Sequence, residues 1–274
     1  VMEDDSQVLK DVVVIGYGTM EKKSVTSSIT SIKGDDLTAG MGGSTIATAL
    51  QGKVPGLTIS GSASPNSSND FQLRGIASVN ASQSPLVVID GIPGGDMRAI
   101  NQEDIESIDV LKDAAAGAIY GTRAAGGVIL ITTKKGNARK QQPVTFTSNL
   151  TLQSPFSLPA FQNRYGVSDG VESWGARARM KTYDNAGDFF RTGITAMNAV
   201  SVSSGSEQVQ NYFSYANTAE RGITGSNRLM RHNFNLRTTT GLFRQRLKLD
   251  GNISFMRQVV EDKPVPGGFY MNPL

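Results

Sequence analysis

Ala118-Ile119-Tyr120-Gly121-Thr122-Arg123-Ala124-Ala125-Gly126-Gly127-Val128-Ile129-Leu130-Ile131-Thr132-Thr133 is the stretch on which the fold turns. It completes an alanine-rich run from Ala114 to Tyr120, a short helix that Asp113 is placed to N-cap. Gly121 stands at the C′ position, where a left-handed conformation costs glycine little. Past Gly126-Gly127 the branched run Val128 to Thr133 predicts a strand. A dinucleotide-binding loop needs the reverse order, strand then glycines then helix. These glycines therefore read as turn and packing positions. Gly16-Tyr17-Gly18 is no better a phosphate site, and Gly52-Lys53 runs into Val54 without the hydroxyl residue of a phosphate loop.

Working towards the N-terminus, Val54 to Ser60, Leu86 to Asp90 and Ile105 to Leu111 are three more expected strands. Ser44 is placed to cap a helical turn through Ile46, Ala47 and Leu50, closed by Gly52. Asn101, with Asp104 three residues on, is a weaker helix-start signal. This half reads as a compact α+β domain. Beyond Lys134-Lys135-Gly136 the period changes to two. Val144, Phe146, Leu150 and Leu152 oppose Thr145, Thr147, Asn149 and Thr151. Leu247, Leu249, Ile253 and Phe255 oppose Lys248, Asp250, Asn252 and Ser254, and Phe234 and Leu236 oppose Asn233, Asn235 and Arg237. With Val200 to Ser203 and Tyr212 to Ala216, that makes about five half-apolar strands of about ten residues each. A soluble sandwich would turn the apolar face to a core. A membrane barrel would turn it to lipid, with strands of about 9–11 residues. Alternation is the same in both. A closed membrane barrel needs about eight strands, so if this is a barrel it is the beginning of one.

Composition removes several function classes. The 274 residues carry 27 basic and 24 acidic side chains, a net +3, scattered rather than gathered into the basic stripe of a nucleic-acid platform. There is no cysteine, hence no disulfide, thiol nucleophile or Cys-based zinc site. The lone histidine, His232, lies in an alternating strand between Arg231 and Asn233, the setting of a wall or surface residue. No catalytic constellation or cofactor is expected. No apolar run approaches the roughly 18 residues of a membrane-spanning helix. The opening Val1-Met2-Glu3-Asp4-Asp5 is acidic where a secretory signal would be basic. Either the protein is cytosolic or Val1 is not the start of the gene product, and a first residue other than methionine favours the second.

The motifs of the first half, in order, carry a resemblance. Ala49-Leu50-Gln51-Gly52-Lys53-Val54-Pro55-Gly56-Leu57 is followed by Leu73-Arg74-Gly75 and by Pro85-Leu86-Val87-Val88-Ile89-Asp90-Gly91-Ile92-Pro93. Asp104-Ile105-Glu106-Ser107-Ile108-Asp109-Val110-Leu111-Lys112-Asp113 and the opening stretch complete the series. Across about residues 8 to 136 the chain resembles the plug domain of TonB-dependent outer-membrane transporters, in the SusC/RagA branch of the Bacteroidetes. Asn211 to Tyr215 and Leu249 to Asn252 resemble the first strands of that family's barrel, which has about 22 strands. The resemblance implies an α+β plug followed by antiparallel strands of an incomplete transmembrane β-barrel. It divides the chain into a TonB-box-like segment (1–18), the plug (19–136) and about the first five barrel strands (137–274). It also implies an absent signal peptide and N-terminal extension.

The same resemblance implies a nutrient importer of the outer membrane, its plug facing the periplasm. TonB, with ExbB and ExbD, would energise it, and a SusD-like lipoprotein would deliver oligosaccharides or peptides. No nucleic acid and no cofactor are implied. Asp11, Val12, Val13, Val14, Ile15, Gly16 and Tyr17 form an extended segment able to add to a partner's sheet edge. The family reading makes it the TonB contact, and the plain reading makes it the first strand of the plug sheet. Arg74, Glu106, Lys112 and Arg123 are charges among small and apolar residues, expected to pair with the inner wall of a barrel, against ordinary solvated ion pairs. Asn66, Asn69 and Asp70 lie in a polar loop expected to face the substrate. Their spacing lacks the regularity of a calcium loop. Trp174, Tyr165, Tyr183 and Phe189-Phe190 suit either ligand stacking or an interfacial girdle. The alternative from another class is an independent soluble plug-like module for periplasmic binding or signalling.

Overall fold

The computed structural model describes residues 12–15, 18–21, 29–38, 45–60, 70–73, 75, 84–112, 120–137, 143–158, 162, 164–167, 175–177, 183–243 and 246–261. The first domain contributes β1 (Val12–Ile15), β2 (Gly18–Glu21), β3 (Ile29–Lys33), helix α1 (Gly34–Thr38) and helix α2 (Ile46–Leu50). It continues with β4 (Leu57–Ser60), β5 (Asp70–Leu73), β6 (Leu86–Ile89), β7 (Ile92–Pro93), β8 (Ile105–Leu111) and β9 (Val128–Thr133). Then come β10 (Val144–Gln153), β11 (Gly193–Gly205), β12 (Val209–Arg221), β13 (Arg228–Leu242) and β14 (Leu247–Glu261).

The branched runs meet in one sheet of order β3-β8-β9-β6-β7. Central β9 pairs parallel with β6 and antiparallel with β8. Both its faces are covered, which is why Val128 to Ile131 is continuously apolar rather than alternating. Ile129 and Ile131 pack with Ile108, Val110, Leu37, Ile46 and Leu50 on the helical side. Val128 and Leu130 pack with Val88, Leu111 and Ala124 on the other. Each such valine, leucine or isoleucine, fully removed from water, contributes about 1.5–3 kcal/mol. β4 and β5 form a separate hairpin, as do β1 and β2. The segment Val12–Ile15 is thus extended as its valines dictate, but it pairs with Gly18–Glu21 and not with the five-stranded sheet.

Some local expectations shift by a few residues. The strand expected from Val54 starts at Leu57, because Val54 closes a turn through its carbonyl to Leu57 N (3.2 Å) and Pro55 has no amide to give a ladder. Thr45 is the N-cap of α2, its Oγ1 accepting from Thr48 N at 3.4 Å. Ser44 lies outside the described residues. Asn101 precedes a 3-10 turn over Gln102–Asp104 without a side-chain cap bond. The expected helix after Asp113 lies outside the described residues as far as Ile119, and a 3-10 turn over Gly121–Ala124 follows it.

β10 to β14 form an antiparallel meander in sequence order. The strands run from 10 to 15 residues, longer than the alternation suggested. Thr238-Thr239-Thr240 breaks the pattern of β13, yet backbone pairing to β14 continues to Leu242. At about 3.4 Å per residue the longest strands rise about 50 Å, more than a bilayer core demands even when tilted. Burial decides between the two architectures that alternation left open. On β13 the buried residues are Leu229, Arg231, Asn233, Asn235 and Arg237, and on β12 they are Tyr212, Ser214, Ala216, Thr218 and Glu220, most of them polar. Phe146, Leu150, Phe213, Phe234, Leu236, Ile253 and Phe255 are exposed. The meander therefore turns its polar face inward onto the first domain and its apolar face outward. That is the reverse of a sandwich.

Candidate functional site: the seam between domain and meander

The inward polar face meets the first domain along a seam built from turn chemistry and strand register. β6 and β7 are joined by Asp90-Gly91, with Ile89 opposite Ile92. Both turn residues have positive φ, 47° and 86°, as a tight type I′ hairpin requires, and Asp-Gly is a favoured pair for it. The turn brings the Asp90 carboxylate beside the end of β9. There Thr133 donates to it from its backbone N (3.0 Å) and its Oγ1 (2.6 Å).

Arg237 reaches this turn from β13. Asn252 of β14 is its register partner, so Asp250 is its diagonal neighbour on the same face. Arg237 donates from Nε to Asp250 Oδ1 (2.9 Å) and from Nη2 to Asp250 Oδ2 (2.7 Å). The remaining nitrogen, Nη1, points across the seam. It lies 3.1 Å from Asp90 Oδ1 and donates to Thr133 Oγ1 (2.7 Å) and Thr133 O (3.3 Å). The guanidinium is 5% exposed. Lys135 Nζ adds a looser contact to Asp250 at 3.7 Å. A cavity of about 210 Å³ opens against this group, lined by Asp90, Tyr120, Lys135, Arg237 and Asp250 among others.

Further along the seam Tyr212 OH donates to Asp104 Oδ1 (2.9 Å), Thr147 Oγ1 to Glu103 Oε2 (3.3 Å) and Asn233 Nδ2 to Ala99 O (3.0 Å). Burial pushes the Asp104 carboxyl above the ordinary carboxylate value, although Ser214 and Tyr212 bond to it and Lys134 lies near. Burial also raises Glu103. Where the chain passes from domain to meander, Gly136 fits against the next strands. A Cβ there would collide with the backbone nitrogen of Asn211. Asn137 N then donates to Ser203 Oγ at 2.8 Å, fastening the passage to β11.

The charges selected from sequence sit elsewhere. Lys112 is buried inside the first domain, its Nζ donating to Pro55 O (2.7 Å) and Thr30 Oγ1 (3.1 Å). Glu106 and Arg123 are exposed, and Arg74 lies outside the described residues. Asp70 opens β5 and is exposed, while Asn66 and Asn69 lie outside the described residues, as do Asp11, Gly16, Tyr17 and Trp174. Phe189 and Phe190 meet edge to face at 5.0 Å. On the outward face Tyr215, Phe234 and Phe255 form a cross-strand ladder with ring centroids 4.7 and 6.4 Å apart. His232 Nδ1 lies 2.9 Å from Tyr215 OH at the edge of that ladder, a wall position.

Residues 21–128 match the family model described as TonB-dependent Receptor Plug Domain. The chain is 32% identical to the TonB-dependent receptor SusC of Bacteroides thetaiotaomicron over 93% of its own length. It belongs with the SusC/RagA-type TonB-dependent receptors. TonB-dependent receptor P3 of Formosa agariphila is 35% identical over 84% of the chain. The chain covers 27% and 23% of these two relatives, so it spans about a quarter of the curated proteins it matches. Among solved structures, the RagAB peptide importer in its open-open state superposes with a TM-score of 0.76 at 24% identity, covering 95% of this chain and 34% of that one. The unliganded ferric citrate transporter FecA gives 0.60 at 15% identity, covering 86% of this chain and 32% of that one. The first domain is accordingly a plug, and the meander is an open section of barrel wall. These relatives are receptors and transporters, not enzymes.

Proposed function

We propose that the chain is part of an outer-membrane importer in which the plug, facing the periplasm, blocks the barrel until TonB moves it. The observation that carries this reading is the polar inner face of β12 and β13 closed over a plug while large apolar side chains face outward. A lipid-facing exterior with a filled, polar interior fits a transport barrel. The soluble-module alternative would leave that apolar surface in water. TonB, driven through ExbB and ExbD, grips the segment around Val12–Ile15, whose pairing with Gly18–Glu21 is short enough to be exchanged for a partner strand. The SusC and RagAB likenesses support a SusD-like lipoprotein partner and an oligosaccharide or peptide ligand, with Asn66, Asn69 and Asp70 offered to that ligand. Ligand binding opens the device only if it favours the state in which the TonB segment is available.

The test is uptake of labelled oligosaccharides and peptides by the native organism with the intact receptor, without it, and with Val13→Pro. Proline removes one backbone donor from the extended segment. Uptake of one ligand class, lost in both altered strains while receptor level in the outer membrane is unchanged in Val13→Pro, is the expected result. Recovery of the native protein in the soluble fraction would overturn the reading.

A further inference from the structure

We infer that Arg237 is the wall residue that retains the plug through Asp90, and that Asp250 weakens this hold so that it can be released. The inference rests on the importer reading only for its physiological use. Its physics is local.

Each partner keeps its own company on both sides of the seam. Asp90 accepts two hydrogen bonds from Thr133, on the same domain. Arg237 has its bidentate grip on Asp250, on the same wall. Moving the plug away therefore strands neither charge, which is what makes breaking a buried pair expensive elsewhere. The fork divides cleanly, with Nε and Nη2 on the wall carboxylate and Nη1 on the plug. The cavity beside Asp90, Arg237 and Asp250 gives water access to the group as it separates.

Asp250 also acts on the plug directly by charge. The plug carboxylate is drawn to Arg237 and repelled by Asp250, so the net hold is the difference of two opposed interactions in a poorly hydrated place. Lys135 offsets a little of that repulsion, but it is half-exposed and 3.7 Å from Asp250, where a pair contributes little. Removing the Asp250 charge while keeping its shape removes the repulsion and leaves Arg237 to Asp90 alone. Two carboxylates touching the same guanidinium thus have opposite effects on plug retention.

The experiment is backbone hydrogen exchange of β6 and β9 in the intact receptor in outer-membrane vesicles, comparing wild type, Asp90→Asn and Asp250→Asn, with resistance of the barrel to heat and detergent as the folding control. Asp90→Asn is expected to speed plug exchange, on the order of tenfold, and Asp250→Asn to slow it. A shift of both variants in the same direction, with folded barrels, overturns the inference, because the three groups would then be one structural cluster. Should either variant fail to assemble, Arg237→Lys replaces the fork by a single ammonium and must speed exchange; unchanged exchange overturns the inference equally. Opposite shifts in a receptor that takes up no ligand support the retention device while sinking the importer reading. Ligand uptake with same-direction shifts does the reverse.

Discussion

The plug sheet and the wall sheet bury opposite kinds of residue. In the plug the deepest side chains include Ile105, Ile108, Leu111, Val128 and Ile129. In the wall they include Arg231, Asn233, Asn235 and Arg237, while Ile253 and Phe255 stand outside. One sheet is held by removing hydrocarbon from water. The other is shaped for hydrocarbon outside and spends its hydrogen bonds on the plug. Buried position therefore does not mean the same thing in the two halves, and substitutions should expose the difference.

The largest effect is expected at Arg237. Replacing it by Met leaves Asp90 facing Asp250 without the cation between them, and breaking a buried pair in this way costs about 3–5 kcal/mol. Because Asp250 is about one-third exposed, the lower figure is the one to expect, read as the urea concentration that frees the plug in the intact receptor. Of comparable size is the first of a matched pair of isoleucines. Ile131→Ala in the plug should cost about 2–5 kcal/mol by the same measurement, whereas Ile253→Ala on the outer face should stay within about 0.5 kcal/mol. Equal losses at the two sites would break the comparison.

Smaller still is Gly136→Val, where the first added carbon already meets the backbone of Asn211. Overpacking of this kind costs about 1–3 kcal/mol, and faster exchange at the β11–β12 edge near Asn211 would register it. The smallest effect concerns pH. A carboxyl raised in the folded state contributes most below its ordinary value of 3.8 and loses that contribution as pH rises through the raised one. Plug exchange should therefore slow as pH falls from neutral towards the ordinary carboxylate value of 3.8. Asp104→Asn should flatten that slope without removing it, since Glu103 is shifted the same way. Asp96 is lowered by its bonds to Arg98, so it titrates below this window. A slope unchanged in Asp104→Asn would count against the seam assignment.

Much of the fold was legible in the residues. The run Val128 to Thr133 announced a strand, and the structure has it at the centre of the plug sheet, covered on both faces. The wall strands were legible by period and face, but not by direction, because alternation reads the same whether oil or protein lies on the apolar side. Strand length was understated, because backbone pairing outlasts the side-chain pattern at Thr238-Thr239-Thr240. The seam was the least legible part. Selecting charges embedded in apolar sequence favoured Lys112, which is satisfied inside the plug. Asp90 was passed over, although Asp-Gly between Ile89 and Ile92 is a hairpin signal that fixes where its carboxylate must stand. The partnership of Arg237 with Asp250 needs the register of β13 on β14, which single-strand patterning does not contain.

The two sheets also differ in when they can be made. Each wall strand from β10 to β13 pairs with its immediate successor, and from β11 onward each hairpin closes a short stretch of chain. The plug sheet waits for partners distant in sequence. β6 gains its parallel neighbour only when β9 has been synthesised, and β3 reaches β8 across most of the domain. Non-local pairing is the slower process. A plug still open while wall strands form behind it must find its place against them, and Asn137, bonded to Ser203 of β11, holds the start of the passage between the two.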